Sequence, residues 1–432
     1  MMSGKTSIVM ICAAVCVVFA VSVGEIGSHD LLALWNAGGA FAEGRLDQVY
    51  AGYDSLFTMQ PPESWTPPPG HNAEEIALYP FIYPPLWAFM MSLPQGAISF
   101  TGFSIIAAVC NMVLILAASL LAYRIAAPRM NLSRFLLLGA VLFCTSTVFL
   151  LPLGENQPQI LVTVLMLAAI ERNRAGSPAA AGICLALAAS IKLYPVLFAL
   201  IWLAAGDRRS VAWTAIVGAA LAALSVLVAG WPLHAAFLHE VSAISKTAFF
   251  SFATVSLDAA IANNGLLISM TSFDTTATGG ETKWLVAEKP ALWRAFSMTM
   301  LALVLFGYFA TARRGWSRHP LYWPAAIIAL NLVLPLAWVY YYLAAAVFLP
   351  ALLAPRESTT AKIMAIAPIL PTSVYVISGA KLSFTAVSLL IPVTVAGFVA
   401  LAIYLGFRVR AEIDQPSSAR TFTPPLGEAV TA

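Results

Sequence analysis

Ten apolar stretches, each long enough to carry a chain across roughly 30 Å of hydrocarbon, decide what this sequence can fold into. They lie near residues 7–23, 101–123, 134–151, 157–171, 211–229, 292–312, 321–336, 339–354, 361–379 and 384–407. In lipid every backbone N–H and C=O must be satisfied within the protein, so stretches of this kind become helices. The composition agrees: of 432 residues 60% are hydrophobic and 10% charged, and the mean hydropathy is +0.84. A soluble domain of this size needs far more polar surface. Cytosolic enzymes, secreted disulfide scaffolds, disordered tails and nucleic-acid binders are thereby excluded, and the expected class is an all-α polytopic membrane protein. The five cysteines (Cys12, Cys16, Cys110, Cys144, Cys184) all fall inside apolar runs, which predicts small buried packing residues rather than a disulfide or zinc framework.

The distribution of basic residues sets the topology. The first stretch follows Lys5 and is too long for a signal peptide with so poor a cleavage site, so it is expected to remain as an anchor. Residues 87–97 follow Tyr83-Pro84-Pro85 and are short, as in an interfacial or re-entrant helix rather than a full crossing. The run 179–205 is broken by Lys192-Leu193-Tyr194-Pro195, either as one kinked helix or as a hairpin. With the hairpin, Arg124/Arg129/Arg134, Arg172/Arg174, Arg208/Arg209, Arg313/Arg314/Arg318, Arg356/Lys362 and Arg408/Arg410 all face the cytoplasm, and with Lys5 and Arg420 of the termini this places 16 Lys/Arg inside against 7 outside. The positive-inside rule then selects a bundle of about 12 transmembrane helices with both termini cytoplasmic. Two large outer loops follow, 24–86 and 230–291, both expected to bear interfacial helices. Residues 1–410 form one transmembrane domain, and 411–432, rich in Pro, Ser and Thr, read as a disordered cytoplasmic tail. No internal repeat is visible, which disfavours a transporter built of matched halves.

Function is expected in the outer loops, since long loops on one face carry binding and catalytic groups. Asp30 stands just before Leu31-Leu32-Ala33-Leu34-Trp35, where an N-cap belongs; it is either that cap or a general base at the membrane boundary. His29 precedes it. Tyr83, in Tyr79-Pro-Phe-Ile-Tyr-Pro-Pro-Leu86, belongs to a membrane-entry turn or to a cavity wall. Gly154-Glu155-Asn156-Gln157-Pro158-Gln159 puts a carboxylate and three amides at the membrane edge, as helix caps or as sugar ligands. Lys192 is the one charge between 175 and 206. It either snorkels to the interface or pairs with a lipid phosphate. His234, His239, Lys246 and Arg294 flank the second loop and add cations there. No HExxH, Walker loop, GxSxG or DxD is present, so neither zinc hydrolysis nor ATP use is indicated.

In this order and spacing, Asp30, Trp35 to Gly44 with Val49-Tyr50, Phe81-Ile-Tyr-Pro-Pro-Leu86, Gly154-Glu-Asn-Gln157, Ile191-Lys-Leu-Tyr-Pro195 and Pro335-Leu-Ala-Trp-Val-Tyr-Tyr342 resemble the GT-C class of membrane glycosyltransferases. The similarity is to glycosyltransferase family 87, which includes polyprenol-phosphate-mannose-dependent α-mannosyltransferases, and it covers roughly residues 8–405. It implies a GT-C-like bundle and Asp30 as general base. It also implies a sugar donor linked to a polyprenyl phosphate, and transfer on the outer face with inversion. Where the family often carries a His after the Ser-Trp of its late motif, this chain has Ala337-Trp338-Val339-Tyr340. Any role of that His is therefore in doubt here, because tyrosine supplies no positive charge at neutral pH.

Substrate contacts are accordingly expected from His29, Tyr83, Glu155, Asn156, Gln157, Lys192, Tyr194, His234 and Tyr340. No metal ligands or cofactor are expected beyond the donor lipid, and a divalent ion would be compatible with the chemistry. The partners are the bilayer, a polyprenyl-phosphate sugar and a glycan or glycolipid acceptor, with no nucleic acid. A bacterial inner membrane with a periplasmic active site would suit such substrates. Competing expectations are a lipid-linked sugar flippase or secondary transporter, and a polysaccharide polymerase or ligase.

Overall fold

The computed structural model describes residues 27–53, 56–66, 78–251, 253–263, 271–274, 283–377 and 384–414. The first apolar stretch and residues 415–432 of the predicted tail lie outside the described residues. Within the described part the tail expectation needs one correction: residues 411–414 continue the last helix, Phe384–Asp414.

Among the described residues, four helices are long and apolar enough to cross a membrane. They are Phe100–Ala126, Arg208–Lys246, Ala291–Arg313 and the Leu389–Asp414 part of the last helix. A fifth span results if Leu132–Thr145 and Thr147–Gly154, bent by 71° about Ser146, are taken together. Ser146 breaks the helix with extended dihedrals and compensates by accepting a hydrogen bond from Val148 N. Phe100–Ala126 starts where Ser99 Oγ accepts the Gly102 amide, and its 27 residues extend about 40 Å. Ile105, Ile106, Val109 and Val113 stand exposed along it, as lipid-facing side chains do. Cys110 is exposed on the same helix, and Cys144 and Cys184 are only partly buried, so these cysteines do not sit in the core as the sequence suggested.

Shorter helices fill the interior, and several differ from the expected single spans. Pro178–Ile191 ends at Lys192, whose extended backbone (φ −136°, ψ 132°) turns the chain into a 3₁₀ segment, Tyr194–Phe198, and the helix Ala199–Ala204. The chain then returns to where it started: Asn173, just before Pro178, donates to Asp207 and to Ser210 Oγ. Lys192 is thus the tip of a hairpin. Gly182 permits the close approach of this hairpin to the helix that follows, since a Cβ there would lie 2.4 Å from that of Trp213. Residues 339–354 do not form one regular span. They comprise a 3₁₀ turn, Val339–Tyr342, and two single helical turns, Leu343–Ala346 and Leu349–Leu352, almost wholly buried. Broken backbone at membrane depth is tolerated where protein surrounds it. Residues 361–379 are likewise split into Thr359–Ile366 and Leu370–Ile377.

The second loop corrects the all-α expectation. Gly230 (φ 74°) kinks Arg208–Lys246, a left-handed backbone that glycine adopts without steric cost. Beyond the helix a three-stranded antiparallel sheet forms from β1 (Thr247–Phe250), β2 (Thr271–Asp274) and β3 (Lys283–Glu288), with β3 central. Thr247 pairs with Glu288, and Thr271 with Val286. Lys289 then forms a buried ion pair with Asp258 at 2.6 Å, while Trp293 Nε1 and Ser297 Oγ donate to the other carboxylate oxygen, each at 2.7 Å. That knot fastens the loop to Ala291–Arg313.

At the opposite end several basic residues make separate polar contacts. Arg124 and Arg172 engage Glu171, Arg174 donates to the Arg318 carbonyl, His319 meets Glu412, and Arg408 bridges Glu412 and Glu357. The molecule is therefore polarised, with a basic end and an end that holds the loops.

Candidate active site

The site grows from the first described helix, His29–Ala42. Leu31, Leu32, Ala33, Leu34 and Ala37 are buried, and Gly38 lets the helix lie against Pro85–Ser92: a Cβ there would come within 2.5 Å of the Met91 backbone. Such a helix start leaves orphan N–H groups. Ser28 precedes it in a left-handed conformation and makes no side-chain cap. Asp30 does not cap it either, which corrects the local sequence reading. The cap comes from the turn 154–157. Glu155 Oε2 accepts from His29 N at 2.8 Å and Asp30 N at 3.3 Å, and the Gly154 and Glu155 carbonyls accept from Ser28 N and Leu31 N. The Asp30 carboxylate is left for other work.

That carboxylate is partly accessible, and its Oδ2 accepts a 2.7 Å hydrogen bond from Gln157 Nε2. The same amide donates to Tyr340 Oη at 2.9 Å, and Gln157 Oε1 accepts from Tyr83 Oη at 2.8 Å. One glutamine thus ties together groups that lie far apart in the sequence. Asn156, at φ 48°, is anchored from below: its Nδ2 donates to Ser28 Oγ and to Ser104, and its Oδ1 accepts from Asn111. The turn is consequently a rigid platform rather than a loose connection.

Lys192 enters from the hairpin tip and is 8% exposed. Its Nζ lies 4.3 Å from the Tyr341 ring centroid, 5.1 Å from Tyr340 and 5.7 Å from Tyr83, a cation–π cage. Among the described residues no carboxylate lies within ion-pair distance of it. Burial pushes the Asp30 carboxyl up to about 7, reinforced by Glu155 and opposed by Lys192, the Gln157 hydrogen bond and His29. Burial pushes the Lys192 ammonium below its usual value, with Asp30 opposing. His29 pairs with Glu155 through Nδ1 at 3.2 Å; burial works against its charge, but the Glu155 carboxylate overrides this and raises its pKa.

The second loop closes over this end. Val255 N donates to Ala337 O, and Val339 N donates to Ala253 O. Phe57 of the first loop packs on Phe249 of β1, which contacts Trp338, which stacks with Tyr340. An aromatic wall therefore runs from both loops to the catalytic candidates.

A model of glycosyltransferase family 87 matches residues 81–323, more than half of the chain. The chain belongs to glycosyltransferase family 87. It is accordingly a multi-pass membrane glycosyltransferase, whose surroundings are a bilayer and whose substrates include glycans. No match to this family 87 chain is found among curated proteins. Within the matched stretch fall Tyr83, the 154–157 turn and Lys192, while Asp30 and Tyr340 lie outside it and are held by Gln157 from within.

Of the residues predicted from sequence, His29, Asp30, Tyr83, Glu155, Gln157, Lys192 and Tyr340 converge. Asn156 supports them from beneath. Tyr194 stands one layer behind, stacked on Tyr341 and accepting from Gln159 Nε2 at 2.8 Å. His234 is not brought there: its ring bonds to Ser225 Oγ and the Gly230 carbonyl at the kink and stacks on Trp231. Its polar capacity goes to local backbone repair, so it corrects the expected anion site. Tyr341 was missed, although the Tyr340-Tyr341-Tyr342 run was a visible signal. Ser104 and Asn111 were missed because single polar residues inside an apolar helix look like packing.

Proposed function

We propose that the protein transfers a sugar from a polyprenyl-phosphate donor to a hydroxyl of a glycan or glycolipid, with inversion at C1. The observation that carries this reading is a carboxylate freed from capping in the same site as a caged lysine that, among the described residues, has no carboxylate within ion-pair distance. Asp30 takes the proton of the acceptor hydroxyl as its oxygen attacks C1. The bond from C1 to the phosphate oxygen breaks on the opposite face, and polyprenyl phosphate leaves with the electron pair. Lys192, with the phenol of Tyr340, whose oxygen accepts from Gln157 and keeps its own proton to donate, offsets the charge on the departing phosphate. The donor's chain lies between helices, and the acceptor arrives beneath the two loops. A cage of this kind suits one anion better than a translocation path, which needs sites of graded affinity, so the flippase reading has less support.

In this reading the site end faces the outside, the basic end lies in the cytoplasm, and the chain crosses about twelve times, in a bacterial inner membrane. The test is transfer of radiolabel by the purified protein from a panel of polyprenyl-phosphate sugars and nucleotide sugars to extracted glycolipid acceptors. Label moving from a polyprenyl-phosphate sugar alone is the expected result. Label moving only from a nucleotide sugar, or lipid-linked sugar crossing vesicles without transfer, would contradict it.

A further inference from the structure

We propose that Glu155 is a positioning residue for the reaction, holding Asp30 in place through the first turn of His29–Ala42 and through His29, without itself touching substrate. The proposal rests on Asp30 being the base. The geometry reassigns Glu155 from the sugar-binding role its sequence position suggested. Both of its oxygens are committed within the protein: Oε2 to the amides of His29 and Asp30, and both oxygens to His29 Nδ1 at 3.2 Å. Glu155 is buried, and its backbone carbonyl accepts from Leu31 N. Apart from its own amide, which donates to Leu151 O at the end of the preceding helix, its hydrogen bonds among the described residues run to His29, Asp30 and Leu31. Because Asn156 is anchored by Ser28, Ser104 and Asn111, the turn cannot shift without moving Asp30.

A carboxylate at a helix N-terminus also meets the positive end of the helix dipole, which favours it there. Its charge acts on Asp30 as well. The charged and titratable groups facing Asp30 are His29 on its own helix, Glu155 from the turn, Lys192 from the hairpin, Tyr83 from the segment before Pro85, and Tyr340 and Tyr341 from the segment after Trp338. Glu155 holds the Asp30 proton on, and His29 eases it off. Removing one or the other must therefore move the pH profile in opposite directions.

The experiment compares Glu155→Gln, Glu155→Ala and His29→Gln in the full chain in nanodiscs, using whichever donor the wild type accepts, after thermal melts confirm folding. Glu155→Gln keeps an oxygen for both amides, so it should retain at least about a tenth of wild-type kcat. Glu155→Ala, which frees the helix start, should lose about a hundredfold in kcat with donor KM little changed, the cost of about 1 Å of misplacement. The acid limb of kcat/KM should move to lower pH in Glu155→Gln, by about half a unit or more, and to higher pH in His29→Gln. The proposal is overturned if folded Glu155→Gln is as inactive as Asp30→Asn, making Glu155 a reacting group. It is equally overturned if both Glu155 variants keep wild-type kcat and pH profile while only melting earlier. Absence of transfer by the wild type would instead sink the function proposed above.

Discussion

Asp30 and Lys192 share one site under opposite demands, because the base must be ionised while the phosphate-holding group must be protonated. With Asp30 raised to about 7, activity should fall about tenfold per pH unit below that value as the carboxylate takes up a proton. With Lys192 lowered, an alkaline limb should appear below the usual lysine range of about 10.4 as the ammonium is lost. A kcat/KM profile from pH 5 to 10 should thus be bell-shaped, with its acid limb from Asp30 and its alkaline limb from Lys192. Lys192→Met should abolish the alkaline limb and raise donor KM about tenfold or more; an unchanged KM would remove lysine from phosphate binding. Both candidates were legible in the sequence, Lys192 because it interrupts an apolar run where a charge is costly and Asp30 because it stands at a helix start just beyond the first apolar stretch. Tyr341 was not, since a tyrosine among tyrosines carries no such mark, and His234 misled because charge alone does not reveal direction.

Among the elements, the helix His29–Ala42 is positioned by contacts the sequence does not advertise. Its cap comes from a turn more than a hundred residues away, and its close packing relies on Gly38 having no Cβ. Gly38→Ala must push the helix off Pro85–Ser92, and should lower kcat more than Gly218→Ala, where a Cβ meets open space. The buried knot at Asp258 makes a second prediction. Asp258→Ala strands the Lys289 ammonium, 1% exposed, at a cost of about 3–5 kcal/mol. The paired change Asp258→Leu with Lys289→Met should cost less than the single one. Thermal melts of the two variants decide this, and equal or reversed stability would show that the pair does not hold the loop. Long spans such as 101–123 could be read from hydropathy alone. The sheet could not, because strands of four to six residues in a mixed-polarity loop leave no clear alternation, and neither could the breaks at Ser146 and within 339–354, which only burial makes tolerable.

As a whole the molecule is a bundle with a basic end and an end that holds the loops, and the helical, membrane-spanning character was legible in hydropathy. Members of several of the basic clusters, Arg124, Arg172, Arg174, Arg318 and Arg408, take part in polar contacts at one end, while Asp30, Gln157, Lys192 and Tyr340 gather at the other. Labelling with a membrane-impermeant maleimide in a cysteine-free background should modify Thr66→Cys in intact cells, and Arg314→Cys only after permeabilisation; both are exposed positions. The central claim, that Asp30 accepts the acceptor's proton, is tested most directly by Asp30→Asn. This near-isosteric change keeps the contact with Gln157 but removes the base. The account predicts a folded protein of wild-type melting temperature and undiminished donor binding whose sugar transfer falls by about 10²–10⁴-fold. A folded Asp30→Asn variant that transfers sugar at the wild-type rate would contradict it.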